Sequence, residues 1–111
     1  MPYKNALREK LRQGKPALGA FFKEMSPNAA EMMGVIGLDF IIVDCEHSPM
    51  TTETAGDIYR AAQLYFLTTL TRIGENSQQT IQKYLDAGTE GVQIPLISST
   101  PPRPPKPWWT R

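Results

Sequence analysis

An α/β fold with a parallel sheet is predicted by three observations on the 111-residue sequence. Four short apolar runs are centred near residues 20, 41, 70 and 93, and segments of helical periodicity separate them. The clearest run, between Asp39 and Asp44, is continuously apolar rather than alternating, as a strand covered on both faces reads. A βα repeat of roughly 20 to 30 residues is the spacing of right-handed βαβ units.

Each element follows from its own residues. Asn5 to Gln13 places Leu7 and Leu11 four apart among charges, with Gly14 as a stop, which predicts a short amphipathic helix. Ala17 to Phe22 suits a buried strand. Ser26 followed by Pro27 is an N-cap with proline in the first turn, and Ala29, Ala30, Met32, Met33 and Ile36 supply a helical face ending at Gly37. After the strand at 39–44, Thr52 to Tyr65 reads as a helix with Ile58, Ala61, Ala62 and Tyr65 on one side. Thr68 to Ile73 is a strand, Ser77 to Ala87 a helix carrying Ile81, Tyr84 and Leu85 and stopped by Gly88, and Gly91 to Ile97 a fourth strand.

A sheet of this kind belongs to a small open doubly wound fold or to part of a (β/α)8 TIM barrel. The first expects a glycine-rich phosphate turn after the first strand, and Lys23 to Pro27 has none. The second expects polar residues at the C-terminal ends of several strands, and Lys23, Asp44 with Glu46 and His47, Arg72, and Gln93 stand there. The barrel fits better. A complete barrel takes about 200 to 250 residues, so residues 1–99 are expected to form its N-terminal half, with about four parallel strands and an N-terminal helix.

Composition narrows the classes. Hydrophobic residues make up 41% and charged residues 21%, which speaks against wholesale disorder. No apolar run reaches the ~18 residues of a membrane span, and the basic segment Met1 to Lys15 has no apolar core of a secretory signal, so a cytoplasmic protein is expected. A net charge of +1 gives no case for nucleic acid or membrane partners. The single cysteine, Cys45, excludes an internal disulfide framework.

Residues 100–111 differ from the rest, holding five of the ten prolines, both tryptophans and no acid. This proline-rich tail has two readings: a polyproline II ligand for an SH3-type domain, or a frameshifted or disordered end. A degenerate reverse translation in a shifted frame yields an alanine-rich amphipathic helix, the element a barrel requires after its fourth strand.

Asp44, Glu46 and His47 place two carboxylates and an imidazole at the mouth of a parallel sheet, enough for a general base and a group that orients it. The same residues also suit an exposed loop in which Asp44 caps a turn. Arg72, ending an otherwise uncharged run, can bind a carboxylate or stabilise an enolate; a structural pairing with a neighbouring acid is the alternative. Asp86 reads as a helix-surface carboxylate that only proximity to His47 would promote. Cys45 is not expected to act as a nucleophile, since no second histidine is available to activate it. The methionines at 25, 32, 33 and 50 are expected in core or lid packing.

The blocks Gly37 to Pro49, Arg72 to Asn76 and Leu85 to Pro95, with Ala6 to Leu11 and Ala17 to Gly19, resemble the HpcH/HpaI aldolase family in collinear order. The resemblance implies a class II, metal-dependent pyruvate aldolase that splits a 4-hydroxy-2-oxo acid into pyruvate, or a related 2-oxo acid, and an aldehyde. By position, His47 matches the family's catalytic base, Asp86 the aspartate that raises its basicity, and Arg72 the arginine that stabilises the enolate oxygen. Asp44 and Glu46 match acidic residues around the same mouth, touching substrate or supporting those that do. The resemblance further implies a divalent metal (Mg, Mn or Co) and a homo-oligomer in the full-length form. The family's metal ligands come from later strands, so none is assigned in this chain, and the chain alone is expected to be inactive and poorly stable or self-associated. The other functional reading is a noncatalytic α/β module whose tail docks a partner.

Overall fold

The computed structural model describes residues 5–95 and 97, so the tail reading lies outside the described residues. Helix α1, Ala6–Arg12, starts at Asn5, whose side chain accepts the Arg8 N–H at 2.8 Å and so answers one of the helix's unpaired donors. Its Lys10 ammonium reaches Asp39 at 2.9 Å, and Asp39 also accepts the Leu18 N–H. These contacts fasten α1 to the N-terminal end of the sheet. Lys10, and after it the Leu18 N–H, holds the Asp39 carboxyl below its ordinary range.

Three βα units follow, and then a last strand: β1 (Gly19–Phe22), α2 (Pro27–Val35), β2 (Phe40–Asp44), α3 (Thr52–Gln63), β3 (Thr68–Arg72), α4 (Gln78–Ala87) and β4 (Gly91–Gln93). Ser26, Thr51 and Ser77 cap the three helices with their hydroxyls, and Gly88 ends α4 at φ +118°, where a side chain would be strained. The four strands are parallel and lie in sequence order, with β1 matched along its length to β2, β2 to β3, and the last three residues of β3 to β4.

Alternation assigns the faces. Phe22, Ile41, Val43, Thr69, Thr71 and Ile73 are buried with Ala30, Ala55, Ile58, Tyr59, Ala62 and Ile81 of the helical layer. Phe21, Phe40, Ile42 and Leu70 occupy the opposite face and are only half-buried or exposed. There the Phe40 ring lies so close to Gly19 that a Cβ would meet it at 2.4 Å, so any larger residue would have to displace the ring. On the helical side, the buried Tyr59 hydroxyl bonds Thr71, Thr71 donates to Thr89 at 2.9 Å, and Thr89 donates to the Gly91 carbonyl. This chain of hydroxyls ties α3, β3 and the start of β4 with directional bonds.

The structure corrects the sequence reading at several points. β4 stops at Gln93 instead of reaching Ile97, since Pro95 has no N–H for a ladder. On α2, Ala30 is buried and Ala29 and Met33 half-buried, but Met32 and the C-cap Ile36 point to solvent, away from the side on which α3 packs. Met50 is buried and Met25 exposed. Tyr65 falls beyond the end of α3 and covers Gly34. Leu11 and Leu85 are exposed as well.

Ile41 is wholly buried at the centre of the sheet. Ile41→Ala is expected to lower the unfolding free energy by about 2–5 kcal/mol, read as a lower urea midpoint; an unchanged midpoint would remove Ile41 from the core.

Candidate active site

The strand register stacks two layers on the face away from the helices. Phe21, Ile42 and Leu70 are matched to one another and form an apolar layer, with Gly91 beside Leu70. One step toward the C-terminal ends, Asp44 is matched to Arg72 and Arg72 to Gln93, while Lys23 follows the Phe22–Val43 pair and so stands level with Asp44. A polar layer thus sits on an apolar floor.

Asp44 is completely buried, and a buried carboxylate must be fully hydrogen-bonded. Arg72 donates to it in a fork, Nη2 to Oδ2 at 2.6 Å and Nε to Oδ1 at 3.3 Å. The Oδ1 atom also accepts the backbone N–H groups of Glu46 at 3.0 Å and His47 at 2.9 Å, an aspartate turn that folds the loop back over the strand end. The Ser48 hydroxyl closes the loop on the Asp44 carbonyl. Arg72, then the loop N–H groups, hold the Asp44 carboxyl far below the usual range against the opposing effect of burial, and Asp44 in turn raises the guanidinium. Both groups are charged at any physiological pH.

The fork fixes one edge of the guanidinium, and the Phe21 ring, 4.7 Å from Cζ, covers one face. Among the described residues Nη1 makes no hydrogen bond, and the side chain as a whole is partly exposed. Past the turn, the Glu46 carboxylate takes His47 Nε2 at 2.6 Å, and the imidazole is largely exposed. In the neutral ring with Nε2–H so engaged, Nδ1 carries the lone pair and is the basic atom. Cys45 is half-buried, and burial pushes its thiol up, away from thiolate chemistry.

Of the residues singled out in the sequence, the structure gathers Asp44, Glu46, His47 and Arg72 at one mouth and leaves Asp86 elsewhere. Asp86 is exposed in the last turn of α4. Helices that link parallel strands run against them, so this turn lies by the N-terminal strand ends, whereas His47 follows the C-terminal end of β2. The expected pairing of Asp86 with His47 is not made within the chain; Glu46 is the carboxylate on that imidazole. Phe21 escaped the sequence reading, although its distance of two from Lys23 places both on one face.

A divalent metal does not fit these residues as a complete site. Among the described residues no group of three or more His, Cys, Asp or Glu side chains is arranged so that it could hold a metal ion. Asp44 is committed to Arg72 and Glu46 to His47.

Because the folded carboxyl of Asp44 is lowered, its contribution is complete above the unfolded value near 4 and is lost as pH falls toward the folded one. Urea titrations from pH 7 downward are expected to show stability falling below about pH 5. Asp44→Asn should flatten that slope and cost on the order of 3–5 kcal/mol at pH 7; an equal slope in both proteins would refute the assignment.

Comparison with known proteins matches this arrangement to one family. Residues 17–101 match the family model of the HpcH/HpaI aldolase/citrate lyases. The hydroxypyruvate/pyruvate aldolase of Sagittula stellata is 35% identical over 96 residues, 86% of this chain and 38% of that protein. The 4-hydroxy-2-oxo-heptane-1,7-dioate aldolase of Salmonella dublin is 27% identical over 86% of this chain and 36% of its own length. The crystal structure of an HpcH/HpaI aldolase from Desulfitobacterium hafniense superposes with a TM-score of 0.75 at 31% identity, over 79% of this chain and 34% of that one. The chain therefore spans somewhat over a third of the proteins it matches, and its four parallel strands are part of a TIM barrel. By the extent of the family match and the strand-end motif that carries it, the chain belongs to the HpcH/HpaI aldolase/citrate lyase family.

Proposed function

We propose that this chain supplies the base and the enolate-binding arginine of an aldolase site acting on a 4-hydroxy-2-oxo acid. The observation that carries the reading is Arg72, forked by a buried carboxylate, floored by Phe21 and with no hydrogen bond to Nη1 among the described residues, beside a loop that presents His47. The aldolase names of the relatives support the same chemistry.

In the cleavage direction, His47 Nδ1 takes the proton of the 4-hydroxyl. The C3–C4 bond then breaks, C4 and its oxygen become the aldehyde carbonyl, and the bonding pair moves to C3 and onto the C2 oxygen as an enolate. Arg72 faces that oxygen through Nη1, where charge develops, and so favours the transition state over the neutral ketone. Protonation at C3 gives pyruvate or a related 2-oxo acid. Glu46, holding Nε2, stabilises the imidazolium while it carries the proton. The divalent cation implied by the family resemblance finds no complete site among the described residues, and no step here runs through it.

The test uses a full-length relative in which residues 17–95 of this chain replace the corresponding segment, with pyruvate release as the readout. His47→Ala is expected to lower kcat by about 10²–10⁴ with little change in KM, as loss of a general base does. Retained kcat would overturn the role. Arg72→Lys should also lower kcat, because a point charge cannot occupy the Asp44 fork and face the substrate at once. The 111-residue chain alone, given Mg²⁺, Mn²⁺ or Co²⁺, is expected to release little pyruvate; robust turnover by it would contradict the missing cation site.

A further inference from the structure

Two cations approach one oxygen in the polar layer, and only one of them is needed there. Asp44 is satisfied by the Arg72 fork and two backbone N–H groups. The Lys23 ammonium stands 3.9 Å from Oδ2, beyond hydrogen-bond range, on a side chain 60% exposed. The other acid at this mouth, Glu46, faces His47. Among the described residues the Lys23 ammonium therefore makes no hydrogen bond, while the charge of Asp44 holds it at the site.

We propose that Lys23 binds the 1-carboxylate of the 2-oxo acid half of the substrate, next to the C2 oxygen that Arg72 receives. The inference rests on the aldolase reading above. Arg72 Nη2 and Lys23 Nζ lie 2.6 and 3.9 Å from the same Oδ2, which brings the ammonium and the guanidinium that carries Nη1 around one carboxylate oxygen. A 2-oxo acid carries its ketone and carboxylate oxygens on adjacent carbons and fits such a pair of donors. The division of labour follows the chemistry of the two cations. Arg72 is fixed in orientation by a planar fork and suits the oxygen whose charge changes, whereas the flexible ammonium suits a carboxylate charged throughout the reaction. Lys23 accordingly governs binding more than turnover.

Oxalate, whose oxygens also sit on adjacent carbons, is the probe. Calorimetric titration of the 111-residue chain, without added metal, is expected to show that Lys23→Gln weakens oxalate binding about tenfold while Lys23→Arg stays within about threefold. Unchanged binding in Lys23→Gln, or no oxalate binding by the wild-type chain when circular dichroism shows it folded, overturns the proposal. In the chimeric enzyme, Lys23→Gln should raise KM for the 4-hydroxy-2-oxo acid about tenfold with kcat within about threefold. A fall in kcat and thermal midpoint with KM unmoved would instead mark a structural ion pair and overturn it. Lys23-dependent oxalate binding without any pyruvate release would keep the carboxylate site and remove the aldolase reading. Turnover with a KM indifferent to Lys23 would do the reverse.

Discussion

A carboxylate taken wholly out of water constrains everything around it. Asp44 ends its strand in the interior, and each of its lone pairs needs a donor that is itself held in place. Two donors come from the neighbouring strand through Arg72 and two from the backbone of the following loop. The bonds that make burial tolerable are the ones that aim the guanidinium and turn the chain so that His47 emerges beside it. Folding and site geometry are one requirement here, and neither is met without the β2–β3 register that sets Asp44 opposite Arg72.

Much of this was legible in the amino-acid sequence because local chemistry decides it. Ser26 and Ser77 announce helix starts by offering a hydroxyl to an unpaired N–H, and the run from Phe40 to Val43 announces a strand, although within this chain the face of Phe40 and Ile42 is only half-buried. The loop after Asp44 could be read as a capped turn or as a base with its orienting acid; the turn is seen in its hydrogen bonds, and the base is the role we propose. What resisted reading depends on partners distant in the chain. Met32 and Ile36 share a helical face with Ala29 and Met33, but periodicity tells which residues lie together and not whether a neighbour covers them. Asp86 was placed by its position in a motif, whereas the direction of α4 decides which end of the sheet it reaches. The role of Phe21 beside an equally apolar Phe22 is settled only by strand parity relative to the charged layer.

The two sides of the sheet are built on different principles. Toward the helices, aliphatic packing is interrupted by the hydroxyls of Tyr59, Thr71 and Thr89, which bond one another in sequence and make that layer directional as well as dense. Burial raises the Tyr59 phenol well above its ordinary range, so this chain stays protonated and acts as a fixture rather than a proton path. On the other side, the apolar floor of Phe21, Ile42 and Leu70 gives Arg72 a low-dielectric neighbour on one face.

The polar layer is written across four strands at matching positions, and a strand shows its side chains with a period of two. One residue gained or lost inside β2 would send Asp44 to the other side and bring Val43 in its place. The strands are thus intolerant of length change, while the segments between Lys23 and Ser26, Pro49 and Thr51, and Gly74 and Ser77 carry no such parity. Gains or losses of chain length can therefore be absorbed at those joints, where a loop lengthens without turning any strand residue to the other face.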